Sequence, residues 1–299
     1  METPTPRIDA TRPSGPDPRP TLVLIHGLFS SPLEFGLLAR RLRARGVAYE
    51  FLRIPGYTDA ARRARPDWRQ WVRLAGAALD ARFANGESIV LGGLCVGGAI
   101  AAMLTAQPRP QKVVGLALLS PTFAYDGWSI GRLQRLRGIA YALGIDRWMS
   151  VREREPFGIR NAKTRRWVME ELASRGASAV GPASLPLRGI RETERLYARV
   201  EAGFADLSPP LLVLHARDDE ISTVASVERV LATATAPTRL VVLERSFHMI
   251  TIDDDRGRVA DELAAFVDGA HEPASPASST APREPPPTPR HFPFQMEHA

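Results

Sequence analysis

The chain has one cysteine, Cys95, among its 299 residues. That excludes an internal disulfide, fits a reducing compartment and makes a cytoplasmic protein the expectation. Lysine is nearly as scarce. Only Lys112 and Lys163 accompany the arginines that carry the net charge of +6. These basic residues are scattered and lack interleaved aromatics, which argues against a nucleic-acid partner. No apolar run approaches the roughly 18 residues of a spanning helix. The opening stretch "METPTPRIDATRPSGPDPRP" has no apolar core of a secretory signal, and no twin-arginine or lipid-attachment motif is present. There is no internal repeat, no H-x-x-x-H or C-x-x-C spacing, no G-x-G-x-x-G fingerprint and no phosphate-binding loop, so neither metal nor cofactor is expected.

What is present reads as one domain between two tails. Residues 1–20 and 272–299 are rich in proline and small polar residues, bury too little apolar surface to offset ordering entropy, and are expected to be disordered. Within 21–271, apolar runs alternate with helical patterns. "TLVLIHG" (21–27), "VAYEFLRI" (47–54), "SIVLGG" (88–93), "KVVGLALLS" (112–120), "LLVLHA" (211–216) and "RLVVLE" (239–244) predict strands. Near-continuous Val/Leu/Ile runs, rather than alternating ones, mean strands covered on both faces. The fold class is therefore α/β, a doubly wound, mostly parallel sheet. Ser31-Pro32-Leu33-Glu34 reads as a capping box opening a helix that stops at Gly46, and Asp67 caps the helix that follows it. Further helices are expected at about 96–106, 223–235 and 255–268.

From about 121 to 205 no strand is predicted. The text turns helical and arginine-rich, as for a helical lid laid over the carboxyl ends of the sheet. From Asp126 to Glu170 it holds 10 basic and 5 acidic residues, a surplus of +5 that could face an acidic acyl carrier or simply solvent. Trp128, Tyr141, Trp148 and Trp167 in this stretch could line an apolar pocket or serve as packing.

"SIVLGGLCVGGAIAAML" (88–104) runs from an apolar strand through glycines into an apolar helix, with Cys95 at the bend. Gly93-Leu94-Cys95-Val96-Gly97 has the spacing of a nucleophile elbow, G-x-S-x-G, with sulfur replacing oxygen. Side chains at Gly93 and Gly97 would strike the neighbouring turn, and Gly98 lets the helix pack closely. The Val96 amide, at the start of that helix, points to the space above Cys95, where the helix dipole favours negative charge.

An elbow of this kind needs a base and a group to orient it, acid before histidine in the chain. Asp218 or Asp219 lies just past one strand and His248 just past the next, both at the carboxyl edge where open parallel sheets build their sites. Adjacent aspartates diverge, so only one can address His248. His215 and His26 read as packed or loop-supporting residues, and His271, His291 and His298 lie at or beyond the domain edge.

With "LIHGLFSSPLEF", "IPGY", "GLCVGG", "HARDDEIS" and "SFHMIT" together, residues 21–268 resemble the α/β-hydrolase superfamily. Within it they are most similar to the bacterial carboxylesterase, monoacylglycerol lipase and serine aminopeptidase S33 group. The resemblance implies that Leu28, after His-Gly, donates a backbone amide to an oxyanion hole beside that of Val96, and it selects Asp219 over Asp218. The departure is cysteine for serine. "GLCVGG" also looks like the G-x-C-x-G-G box of polyhydroxyalkanoate synthases, although this chain is much shorter than those enzymes.

The expected chemistry is acyl transfer through a thioester on Cys95, with His248 as base and Asp219 orienting it. Three readings follow: a hydrolase of small-molecule carboxylic esters or thioesters, an acyltransferase to an alcohol, amine or thiol, and a non-catalytic binding protein that has lost its serine. The first predicts turnover in water, the second turnover only with an added acceptor, the third no acyl adduct.

Overall fold

In the computed structural model, residues 10–11, 19–55, 57–58, 67–84, 86–131, 137–175, 177–178 and 181–271 are described. The first half of the chain contributes β1 (Ala10–Thr11), β2 (Thr21–Ile25), α1 (Gly36–Ala44), β3 (Tyr49–Leu52), α2 (Trp68–Arg82), β4 (Ser88–Leu94), α3 (Val96–Thr105) and β5 (Lys112–Leu119). A middle segment follows with α4 (Arg137–Ala142), β6 (Ser150–Arg152), α5 (Ala162–Arg175), β7 (Ala177–Ser178), β8 (Gly181–Pro182), β9 (Ser184–Pro186) and α6 (Leu187–Ala202). The chain then returns to the sheet through β10 (Leu211–Ala216), α7 (Val224–Leu231), β11 (Thr238–Leu243) and α8 (Arg256–His271).

The main sheet has seven strands in the order β1-β3-β2-β4-β5-β10-β11. All neighbours pair parallel except β1, which meets β3 antiparallel. The strands alternate between two cores. Val23, Ile25, Ile89, Leu91, Leu116, Leu118, Leu211 and Val213 join one side with α2, α3, α6 and α7. Leu22, Leu24, Val90, Ala117, Leu119, Leu212 and Leu214 join the other with α1 and α8. Every residue of these strand centres is apolar because both faces are covered, as their near-continuous hydrophobic text predicts.

Several local expectations change. Ser31 caps as expected, accepting from the Leu33 amide at 3.4 Å, and Pro32–Phe35 form a 3-10 turn ahead of α1. Glu34, however, does not reach back to Ser31 as a capping box requires. Its carboxyl accepts from the Gly27 amide at 2.7 Å, because at 1% exposure it is buried under the loop after β2 and needs a donor there. The segment from 121 to 205 is not strand-free. Short strands β6 and β9 pair antiparallel, as do β7 and β8. Their text escapes prediction because two- and three-residue pairs carry no hydrophobic period. Part of the first tail is also placed, Ala10 and Thr11 pairing with Glu50 and Tyr49. The remainder of that tail before Arg19, and the tail from 272 onward with His291 and His298, lie outside the described residues.

The parallel order puts the loops after β2, β4, β5, β10 and β11 along one edge of the sheet. That edge holds every candidate site residue.

Candidate active site

Cys95 joins β4 to α3 with φ 53° and ψ −116°, a conformation that costs a side-chain-bearing residue of order 1–3 kcal/mol. The glycines around it explain how the bend is held. A Cβ on Gly93 would overlap the Ile25 carbonyl oxygen and the Gly97 backbone, and one on Gly97 would overlap the carbonyls of Ile25 and His26. At Gly98 a Cβ would come within 3.0 Å of the Gly93 oxygen. The Cys95 amide is tied to the Leu119 carbonyl at 2.9 Å. So fixed, the side chain is partly exposed rather than sunk in either core.

His248 and Asp219 come together from the loops after β11 and β10. His248 Nδ1 donates to Asp219 Oδ2 at 2.8 Å, with both residues buried. The second carboxylate oxygen, Oδ1, accepts the amides of Ile221 at 2.8 Å and Ser222 at 3.0 Å. Asp219 is thus clamped on one side and addresses the imidazole on the other. With Nδ1 committed to Asp219, Nε2 is the ring nitrogen left for another partner. Asp218 points away, as adjacent aspartates must, and is paired with Arg160 at 3.1 Å.

Burial and charge oppose each other at every member of this trio. Burial disfavours the Cys95 thiolate, yet the His248 charge and hydrogen bonds from His248, Thr122 and Tyr197 outweigh it and hold the thiol below its ordinary value. Burial likewise disfavours the imidazolium. The charges of Asp219 and Cys95, with their hydrogen bonds, prevail and raise His248 well above the usual histidine value. The same forces lower Asp219 against the effect of its burial. Each of these shifts runs toward the charged form of its group.

Other histidines take the supporting parts expected of them. His215 is buried and donates from Nε2 to the Ser222 carbonyl at 2.9 Å, with its pKa lowered by burial. His26 is pushed down to about 4 by burial and stays neutral. Its Nδ1 donates to the Gly27 carbonyl at 2.9 Å and its Nε2 accepts the Thr58 hydroxyl at 2.7 Å, which steadies the loop carrying Leu28. His271 ends α8. Leu28 is partly buried against the core beside α3, and Val96 opens that helix. The Gly27 amide, one residue before Leu28, is taken by the Glu34 carboxyl.

Sequence reasoning missed five residues here. The Thr122 hydroxyl lies 3.4 Å and the Tyr197 hydroxyl 3.7 Å from Cys95 Sγ. Ser120 donates to the His248 carbonyl at 2.7 Å. Glu220, pushed up to about 7 by burial, accepts the His248 amide at 3.1 Å. Glu34, pushed up to about 8 by burial, lies within reach of both the Cys95 and His248 charges. Ser120 and Thr122 follow a strand at the same sheet edge as the aspartate loop, a signal that could have found them. Tyr197 belongs to α6 and carries no motif.

Of Trp128, Tyr141, Trp148 and Trp167, the three tryptophans are exposed, Trp148 by 73%. They do not line the space beside the sulfur. That small apolar cavity, about 10 Å³, is bounded by Gly98, Ala99, Ala102, Phe123, Tyr197 and Val200. The basic surplus of the segment is partly neutralised within the chain, where Arg137, Arg160 and Arg165 pair with Glu194, Asp218 and Glu155. No helix among the described residues is long and apolar enough to cross a membrane.

Solved structures share this fold. LipS and LipT, described as metagenome-derived lipolytic enzymes, give a match with TM-score 0.66 and 19% identity over 84% of this chain and 94% of theirs. A soluble variant of monoglyceride lipase from Saccharomyces cerevisiae, in complex with a substrate analog, superposes with TM-score 0.71 and 14% identity over 88% of this chain and 90% of its own. Monoacylglycerol lipase from Paleococcus ferrophilus matches with TM-score 0.66 and 15% identity over 84% of this chain and 94% of its own. Among curated protein sequences none matches the chain. The model of the family described as serine aminopeptidase, S33, matches residues 16–255. The glycine-lined bend after β4, the acid loop after β10 and the histidine loop after β11 all fall within that match, and the chain belongs to the serine aminopeptidase S33 family of the α/β-hydrolase superfamily.

Proposed function

We propose that the protein is an acyl hydrolase of small-molecule carboxylic esters or thioesters that works through Cys95, His248 and Asp219. The observation that carries this reading is the buried 2.8 Å His248–Asp219 bond set beside a cysteine held at φ 53°. A core-filling cysteine has no use for a strained backbone, and a packed histidine no use for a clamped carboxylate. The fold shared with lipolytic enzymes and monoacylglycerol lipases supports an ester as substrate.

The Cys95 thiolate attacks the substrate carbonyl carbon, and the carbonyl π pair moves to oxygen. The amides of Leu28 and Val96 receive that oxyanion, each such donor being worth roughly 3–4 kcal/mol in the transition state. As the tetrahedral intermediate collapses, the bond to the alcohol or thiol breaks, and protonated His248 gives its proton to the departing group. Water then attacks the thioester while His248 takes a proton from it. Collapse returns the electron pair to sulfur, frees the carboxylic acid and restores the thiolate–imidazolium pair. Asp219 holds the imidazole in one tautomer throughout. The segment from 121 to 205 acts as a lid, its α6 closing one side of the cavity beside the sulfur.

Intact mass spectrometry with p-nitrophenyl esters and acyl thioesters tests the reading. Wild type gains one acyl mass that water removes, and Cys95→Ala and His248→Ala gain none. An unmodified wild type overturns catalysis by Cys95. An adduct discharged only when an alcohol, amine or thiol is added reassigns the protein as an acyltransferase.

A further inference from the structure

The middle segment touches the reacting sulfur through Tyr197, which is buried on α6 with its hydroxyl 3.7 Å from Cys95 Sγ. Thr122, on the loop after β5, places its own hydroxyl 3.4 Å from the same atom and 3.5 Å from the Ser120 carbonyl, so its one proton turns to the sulfur when charge gathers there. Proton counting gives the Tyr197 bond a direction. Thr193 Oγ1 donates to the Ile190 carbonyl at 2.7 Å, so its proton is committed. Tyr125, 2.7 Å from Thr193 Oγ1, must therefore be the donor in that pair. Tyr125 has no proton left to offer the neighbouring Tyr197, whose ring centroid is 6.1 Å away. Tyr197 thus keeps its proton for an acceptor; the Tyr125 oxygen and the sulfur both face it, and a charged sulfur is the stronger of the two.

We infer that Tyr197 and Thr122 are catalytic residues that hydrogen-bond Cys95 Sγ and receive the charge that returns to it when the thioester breaks. The inference rests on the proposed acyl hydrolysis and deepens it. The amides of Leu28 and Val96 serve the carbonyl oxygen, a different atom. During deacylation the carbon–sulfur bond breaks and its electron pair goes to Sγ, so stabilisation must be supplied there. Two hydroxyl donors supply it without a proton changing hands. Burial, with the nearby Cys95 charge, holds the Tyr197 hydroxyl well above its ordinary value, so it donates a hydrogen bond and keeps its proton. Other titrating groups within charge reach of the sulfur are His248, Glu34, Tyr57 and Tyr125. A thiolate is a viable leaving group with such help, which is one way a cysteine can replace serine at this bend.

The test compares wild type with Tyr197→Phe, Thr122→Val and Thr122→Ser. Iodoacetamide alkylation across pH gives the thiol midpoint, and intact mass after removal of excess acyl donor gives the rate of adduct loss. Tyr197→Phe and Thr122→Val are expected to move the midpoint upward and slow adduct loss by about tenfold each, the effect of one charge-assisted hydrogen bond. Thr122→Ser, which keeps a hydroxyl, restores both readings. If Tyr197→Phe and Thr122→Val both take the acyl group yet keep the wild-type midpoint and loss rate, the inference falls while acyl hydrolysis stands. If wild type takes no acyl group, both fall.

Discussion

The carboxyl of Glu34 accepts the amide of Gly27 at 2.7 Å, one residue before Leu28 in the loop after β2. Burial raises that carboxyl from its ordinary 4.5 to about 8. Between those values the folded chain holds a proton that the unfolded chain has released, so stability falls as pH rises through the window. Each pH unit fully inside it costs about 1.4 kcal/mol. Glu34→Gln keeps an acceptor for Gly27 and removes the titration. Denaturant unfolding at pH 5 and pH 8 is expected to show a smaller loss for the variant than for wild type. Glu220, raised by burial to about 7, acts in the same direction, so the difference between the two proteins isolates Glu34. Equal losses would remove Glu34 as a titrating group.

The two adjacent aspartates make opposite predictions. Asp219→Asn removes the charge behind His248 and is expected to lower kcat by about 10²–10⁴-fold, the range of a disabled general base. Asp218→Asn loses only a pairing with Arg160 in which both side chains are about half exposed, at 44% and 52%, and is expected to leave kcat unchanged. Steady-state kinetics of the two variants read this directly. Reversed effects would exchange the roles assigned to the two aspartates.

The strain at Cys95 is measurable apart from any chemistry. Glycine adopts φ 53° without the penalty that a Cβ brings. Cys95→Gly is therefore expected to be more stable than Cys95→Ala by about 1–2 kcal/mol in denaturant unfolding. Neither should form an acyl adduct. Equal stability would mean that the bend is relaxed.

Asp253 joins the middle segment to the histidine loop. Its carboxylate accepts the amides of Arg160 at 2.7 Å, Asn161 at 2.9 Å and Phe247 at 2.9 Å, with no exposure to solvent. Asp253→Ala leaves these three donors without their acceptor and is expected to cost about 3 kcal/mol or more of stability. Urea unfolding measures it, and a loss below about 1 kcal/mol would show that the amides find other partners.

These residues also mark how far the sequence could be read. β2, β4, β5 and β10 are legible because covered strands are written in near-continuous Val, Leu and Ile, and the edge strand β11 is legible from its Leu240-Val241-Val242-Leu243 run. The bend at Cys95 was legible because its glycines answer to steric demands fixed by spacing alone. His248 and the Asp218–Asp219 pair follow from chain order and from their place after strand ends, while the choice of Asp219 within that pair comes from the family resemblance. Glu34 was read wrongly because a capping box and a buried carboxyl use the same four letters, and only tertiary contact decides between them. Tyr197 was invisible. Its position depends on the path of the middle segment, which short strands and irregular turns determine. The exposed Trp128, Trp148 and Trp167 show the same limit, since spacing does not say which face of that segment meets solvent.

A lone cysteine at a rigid bend is also an instrument in its own right. A fluorophore or spin label carried by a thiol-selective reagent would attach at one known position, where the backbone cannot drift. Such a reporter would sit beside α6, whose Tyr197 hydroxyl lies 3.7 Å from the sulfur, and would read the surroundings of that helix. The chain thus comes with a single, built-in observation point at the junction of β4 and α3.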